Sequence, residues 1–311
     1  MLHALSELLS WETHGLRIGF LCFGLRFPLW VAVLAGLIVT QVAFFFTTTY
    51  LHRSLAHGSV TLCRPLEWFA RFDIWTTTGI KPRIWAAIHR KHHQFPDIVG
   101  DPHSPILEGS RAIMHGNVAR YRAAEKTFGE NIPSRQRAVR HATPDKWDRA
   151  LFDNSKTGLA IGITLACLVF GLLGGALIVL IHTPRYLRGG AHINKSGHKN
   201  GYMNKLGIEV ARYTGNNLHL AWLICGEGMH FNHSADPMNP SFAWRWWELA
   251  LLTDWPYQLV LKPLSYLGLV RISRKRKTGI VNEMSPRVIW YAQARQIRQD
   301  LMHAEGLVQT A

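Results

Sequence analysis

The sequence predicts an all-α integral membrane protein: a bundle of about two to four transmembrane helices with a cytoplasmic helical cap, forming one domain over residues 1–311. Three observations predict it. Two long apolar stretches are free or nearly free of charge, basic residues flank them, and histidines recur in groups whose spacing matches a helix face.

The first stretch, Phe27 to Leu51, carries no charged residue. At about 1.5 Å per residue it is long enough to cross a hydrocarbon core of ~30 Å. Before it, Leu16 to Leu25 is apolar but short, contains Arg17 and is followed by Arg26, so a partial or re-entrant first helix stays open. Arg64 to Pro96 is helix-like, with Trp68, Phe69, Phe72, Trp75 and Trp85 spaced along an amphipathic face, which predicts an interfacial helix rather than a span. Glu108 to Lys156 is polar and reads as a cytoplasmic segment. The second apolar block runs from Gly158 to Ile181. Gly171, Gly174 and Gly175 either turn it into a hairpin of two helices or serve as packing glycines in one tilted helix, and composition does not choose between these. From Gly201 on, short apolar runs with Trp244, Trp246, Trp247 and Trp255 suit an interfacial cap. The run Arg271, Arg274, Lys275, Arg276 and Lys277 reads as a solvated basic face beside anionic lipid headgroups.

Composition narrows the function classes. Cys22, Cys63, Cys167 and Cys225 lie far apart with no C-x-x-C pair, which argues against a disulfide framework and against a thiolate metal site. A formal net charge of +15 calls for an anionic surface or partner. No zinc-finger spacing or RNA-recognition signature accompanies it, so a nucleic-acid partner is not expected. Basic residues beside apolar spans instead follow the positive-inside rule and place these loops in the cytoplasm. The first residues lack the short apolar core and small-residue cleavage site of a removable signal peptide.

The histidines carry the chemistry. His52 and His57 form an H-x-x-x-x-H set, His89, His92 and His93 an H-x-x-H-H set, and His230 and His233 an H-x-x-H set. Residues three or four apart share a helix face, so the second and third sets can hold one metal or two neighbouring ones. His52 and His57 lie five apart, well separated around an ideal α-helix, and require a helix end or a metal lying between helices. Imidazole suits iron, zinc and copper alike. His3, His14, His103, His115, His141, His182, His192, His219 and His303 read singly as interfacial polar residues.

The order HRSLAH (His52 to His57), HRKHHQ (His89 to Gln94) and GEGMHFNH (Gly226 to His233) resembles the three histidine boxes of the membrane fatty acid desaturase family, of the acyl-CoA desaturase type. GDPHSP (Gly100 to Pro105) and INKSGHKNGY (Ile193 to Tyr202) extend the resemblance, which is strongest over residues 28–270. It implies a histidine-rich di-metal site of two non-haem Fe ions, with His52, His57, His89, His92, His93, His198, His230 and His233 as ligands and Asn194 binding through a water. The third box departs from the family pattern, because Ser234 stands where a further histidine is expected. Asp236 is a possible substitute ligand; alternatively the iron keeps an open position, or one metal and the reaction are lost.

An unactivated methylene is beyond any side-chain acid or base, so a cofactor must remove its hydrogens. The resemblance implies dioxygen as co-substrate, a fatty acyl thioester or lipid as substrate, and a separate electron donor, ferredoxin or cytochrome-type, with its reductase. The protein would sit among membrane lipids, in the inner membrane if bacterial, with its active site on the cytoplasmic side. Arg53, Lys81, Arg83, Arg90 and Lys91 lie near the boxes, either as solvated charge or as contacts to head-group phosphates. The alternatives are a hydroxylase, decarboxylase or oxidase of the same fold, and a non-catalytic membrane protein that binds metal. That last class calls for acids or histidines lining a path through the spans, which contain almost none.

Overall fold

The computed structural model describes residues 29–97, 99–130, 145–199, 201–204 and 214–273. The segment Leu16 to Leu25 and the basic residues from Arg274 on lie outside them. In chain order, α1 (Leu29–Phe46) runs into a π-helical segment (Thr47–Ala56), followed by β1 (Val60–Leu62), α2 (Arg64–Thr77), α3 (Pro82–Gln94), α4 (Pro105–Glu108) and α5 (Ser110–Glu130). A π-helical turn (Asp148–Phe152) precedes α6 (Ser155–Ser196), α7 (Leu218–Leu223), α8 (His230–Ala235) and α9 (Trp246–Ala250). A second π-helical turn (Pro256–Leu261), α10 (Lys262–Tyr266) and β2 (Val270–Ile272) complete the described chain. Among the described residues helix dominates, as the predicted all-α class requires, and the sheet is a single antiparallel pair. The stretch Arg64 to Pro96 is two helices rather than one. Gly79 adopts a left-handed φ of 63° after α2, and Pro82, which donates no amide hydrogen, opens α3.

The chain divides into two compact units, each drawn from separated segments: Met1–Thr47, Pro65–Pro82 and Pro144–Arg188 in one, Thr48–Arg64, Arg83–Thr143 and Gly189–Ala311 in the other. Among the described residues two helices, Leu29–Ala56 and Ser155–Ser196, are long and apolar enough to cross a membrane. The second has 42 residues. A straight helix of that length would measure about 63 Å, roughly twice a ~30 Å hydrocarbon core.

It is not straight. Gly171 breaks it with a left-handed φ of 73°, open to glycine without a steric penalty. In the first unit the contacts on either side mirror one another about that residue. A Cβ on Gly175 would lie 2.7 Å from the Cys167 backbone nitrogen, one on Gly162 would overlap the Thr76 carbonyl oxygen, and the His182 Nε2 lies 2.9 Å from the neighbouring Thr77 carbonyl. Residues 155–170 and 172–188 therefore fold back on each other, which selects the hairpin among the two arrangements the glycines allowed. The returning arm also meets α1: a Cβ on Gly36 would come within 3.1 Å of Ile181, and Tyr186 stacks on Phe44 with its hydroxyl 2.7 Å from that of Thr47. Such close approach between apolar helices relies on small residues, because lipid offers the same apolar contact as a larger side chain.

In the second unit β1 pairs with β2, Val60 opposite Ile272 and Leu62 opposite Val270. One apolar cluster joins Leu55 of the π-helical segment, Ile84, Ala87 and Ile88 of α3, and Tyr121 and Ala124 of α5. Another joins Leu218 and Ala221 of α7 to Tyr202, Met229 and Phe242. These clusters place the segments that carry the three histidine boxes.

Gly162→Ala should destabilise the protein by about 1–3 kcal/mol through overpacking against α2. Gly190→Ala, whose Cβ would meet only the Asn117 amide at 3.8 Å, should be neutral or gain up to about 1 kcal/mol of helix propensity. Thermal unfolding in detergent compares the two, and equal effects would contradict the packing described.

Candidate metal centre

The first histidine pair owes its geometry to the π-helix. The His57 amide donates to the His52 carbonyl, five residues back, at 3.1 Å. This wider turn stacks residues five apart, where an α-helix would separate them, and the two rings lie 5.0 Å apart. Arg90 of α3 holds the end of the turn, donating to the Leu55 and Ala56 carbonyls at 2.6 and 2.5 Å. On α3 itself His89 and His93 are one turn apart and share a face, while Trp85 stacks flat on His89 at 4.9 Å.

Eight imidazoles converge from four segments into two adjacent groups. His52, His57, His89, His93 and His233 form one, and His92, His198 and His230 the other, with the donor atoms of each group within 4.8 Å of one another. α3 and α8 each contribute to both groups: α3 sends His92 one way and His89 and His93 the other, and α8 divides His230 from His233. Within the larger group the Nε2 atoms of His52, His233, His93, His89 and His57 follow one another at 2.9–3.0 Å. In the smaller, those of His198 and His230 are 3.0 Å apart.

These contacts cannot all be hydrogen bonds, because each neutral ring nitrogen carries either one proton or one lone pair. Three rings have their tautomer fixed from behind. His52 Nδ1 donates to Glu227 at 2.6 Å, His92 Nδ1 to Asp101 at 2.9 Å and His198 Nδ1 to Asp97 at 2.7 Å. Their Nε2 atoms therefore present lone pairs inward. Burial, reinforced by neighbouring imidazoles, holds His57, His89, His93, His230 and His233 well below the ordinary value of 6.5, so these five are neutral at pH 7. Converging lone pairs call for a cation. Two nitrogens at right angles on a metal with bonds of about 2.1 Å lie about 3 Å apart, which matches the observed spacing. The donor set thus fits transition-metal ions, one in each group.

The carboxylates are themselves secured. Asp101 accepts the amides of Asp97 and His103 at 2.8 and 3.0 Å, and Asp97, at a left-handed φ of 57°, accepts the Ser104 hydroxyl at 2.7 Å. Ser104 in turn caps α4 through the Ile106 and Leu107 amides. Burial opposes the charge on Asp97, Asp101 and Glu227, but the histidines beside them outweigh it and hold all three below ordinary carboxylate values. Beside His52, Arg53 is almost fully buried against Asp254 at 2.6 Å and lies 3.7 Å over the Phe242 ring, which packs 4.8 Å from His233. Arg53 is therefore an interior ion pair rather than a contact for a phosphate.

The third box is held by Asn232, buried between His230 and His233. Its Nδ2 donates to the Phe242 carbonyl at 2.8 Å and to Glu248 at 3.1 Å, while its Oδ1 accepts from Asn204 and Asn216 at 2.7 and 2.8 Å. Glu248, with no exposed surface, also accepts from Tyr202 at 2.8 Å, Asn204 at 2.9 Å and the Trp244 and Arg245 amides at 2.6 and 2.8 Å. Nothing in the spacing of the boxes announces Glu248, Asn204 or Asn216. Glu227, Asp97 and Asp101 had a signal, since a ligating histidine needs an acceptor behind it and these acids stand within or just after the boxes.

His198, distant in sequence from the boxes, joins the smaller group as the resemblance implies. Asn194 donates to the Asn117 side chain at 3.2 Å. Asp236 ends α8, its amide bonded to the Asn232 carbonyl, and its carboxylate is not among the converging donors of the described residues. His103 stacks on His92 at 4.6 Å and groups with it and Asp101. His182 packs between Thr40 and Thr77, a polar residue of the helix bundle.

Glu248→Ala would strand several buried donors, each worth about 1–3 kcal/mol when unsatisfied. It should lower the unfolding temperature and the metal retained after purification together; unchanged metal retention would separate Glu248 from the third box. In the metal-free chain the five depressed histidines bind protons more readily once unfolded. Their contribution to stability is thus complete above pH 6.5 and is lost progressively below it. Melting temperatures of the metal-free protein should fall as pH drops below that value, and a flat profile would contradict the neutral, buried state described.

Comparison with known proteins agrees with this geometry. The Fatty acid desaturase family model matches residues 28–269. An sn-1 stearoyl-lipid 9-desaturase of Synechocystis sp. is 26% identical over 276 residues, covering 86% of this chain and 79% of the relative. Acyl-CoA 5-desaturase AL21 of Anemone leveillei is 28% identical over 231 residues, covering 72% and 66%. Delta-9 desaturase-like 5 protein of Arabidopsis thaliana is 39% identical over 93 residues, covering 29% and 31%. With its histidine boxes folded into two groups of metal-competent imidazoles, and with the family match spanning most of its length, the chain belongs to the fatty acid desaturase family.

Proposed function

We propose that the protein introduces a double bond into a fatty acyl chain carried by coenzyme A or by a lipid, using two irons and dioxygen. The observation that carries this reading is the pair of adjacent imidazole groups, five and three, with lone pairs turned inward. Desaturation removes two hydrogens from neighbouring methylenes; with one dioxygen, two electrons and two protons the balance closes on an alkene and two waters. When bound, the irons supply the activation of dioxygen that no side chain can.

The chain's own residues position and insulate. His52, His57, His89, His93 and His233 would hold one iron and His92, His198 and His230 the other, with Glu227, Asp101 and Asp97 keeping three rings in the ligating tautomer. Trp85 and Phe242 wall the larger group with apolar rings, fixing ring orientation and excluding water. The electrons come from a separate ferredoxin or cytochrome-type donor and its reductase, docking at the basic cytoplasmic face. The acyl chain lies among the apolar helices with its polar head at that surface. In a bacterium this is the inner membrane.

A second reading, hydroxylation or another oxidation by the same fold, is favoured by Ser234 in the third box. Expression with a donor system and mass spectrometry of membrane lipids and acyl thioesters separates the two. Loss of two hydrogens is expected, gain of one oxygen would favour the second reading, and neither change from an iron-loaded chain would leave a metal-binding protein without this chemistry. His89→Ala should abolish the product.

A further inference from the structure

The two imidazole groups are unequal, and the inequality has a local cause. Five histidines serve one group and three the other among the described residues. On α8, residue 234 follows His230 by four positions and so lies on the same helix face, that of the three-histidine group. Serine occupies that position. An imidazole there would extend the smaller group; Ser234 leaves it at three.

The anionic charge is also unevenly placed. Two of the three rings in the smaller group, those of His92 and His198, rest on carboxylates, Asp101 and Asp97, which are almost wholly buried. In the larger group one ring, His52, has such a partner, Glu227. Three protein ligands with securing carboxylates is the pattern of metal sites that keep a position open for an exogenous ligand, and five protein ligands leave fewer positions than three.

Resting on the two-metal reading above, we infer that the two positions are chemically distinct. The five-imidazole group is the more fully coordinated, tighter holding site. The three-imidazole group is an open site, at which a divalent transition ion exchanges more readily and accepts a small exogenous anion. Asp97 and Asp101 compensate there for the missing ring, by raising imidazole basicity and neutralising part of the ion's charge.

Cobalt(II) titration of the purified full-length chain in detergent, followed by visible absorption, tests this without turnover. Two ions should bind in two classes. Losing one ligand's hydrogen-bond partner already weakens metal binding by about 10–100-fold, so a difference in ligand number should separate the classes by about tenfold or more. Azide should change the spectrum of the weaker class alone. Ser234→His should draw the classes together and suppress the azide response, and Asp97→Asn should weaken only the weaker class, by about 10–100-fold. Two ions of equal affinity, azide acting on both or neither, or an undiminished azide response in folded Ser234→His would overturn the inference while leaving the two-metal reading standing. One ion or none at saturating cobalt would overturn that reading, and this inference with it. Should Ser234→His fail to fold, the parent titration and Asp97→Asn still decide.

Discussion

Eight imidazoles, five of them on buried residues and three on half-buried ones, press nitrogen to nitrogen and set the constraint that the second unit has to satisfy. Protonated, they would repel one another; neutral and without a cation, their lone pairs would face each other unmatched. The fold answers with layers of support. Glu227, Asp101 and Asp97 take the outward protons of three rings, and Ser104 and the Asp97 and His103 amides fix two of those carboxylates. Further out, Arg53 with Asp254 and the Asn232–Glu248 network anchor the backbone that carries the first and third boxes. These outer groups touch no candidate donor nitrogen. Their role is to keep the convergence from relaxing.

Backbone irregularity serves the same end. A π-helical turn, generally less favourable than an α-turn, aligns His52 with His57, and Arg90 secures the turn's last carbonyls. The short α8 presents His230 and His233 to different groups because three residues do not complete a turn. In the first unit glycine does comparable work by being small. Gly171 reverses α6, and Gly162 and Gly36 admit neighbouring backbone or side chains at separations that a larger residue would forbid.

Much of the site was legible in the boxes, because α-helical spacing of three and four is a local property. That His89 and His93 share a face follows from helix geometry once α3 forms, whereas the spacing of His92, His230 and His233 left one metal or two open. His52 and His57 were not legible by the same rule; α-geometry separates them, and the π-turn that unites them depends on Arg90 from another helix. Glu248 illustrates the other limit. It is enclosed by donors gathered from residues 202–245. No local pattern encodes such an enclosure.

The sequence by itself determined the helical class, the apolar stretches and the identity of the histidines that can ligate, since hydropathy, helical period and side-chain chemistry are written residue by residue. The tertiary structure alone decided that α6 is a hairpin, that the eight imidazoles divide five and three, and which carboxylate stands behind which ring. Those outcomes depend on distances between segments far apart in the chain, where packing and the pairing of buried polar groups select one arrangement among many that the same local preferences allow.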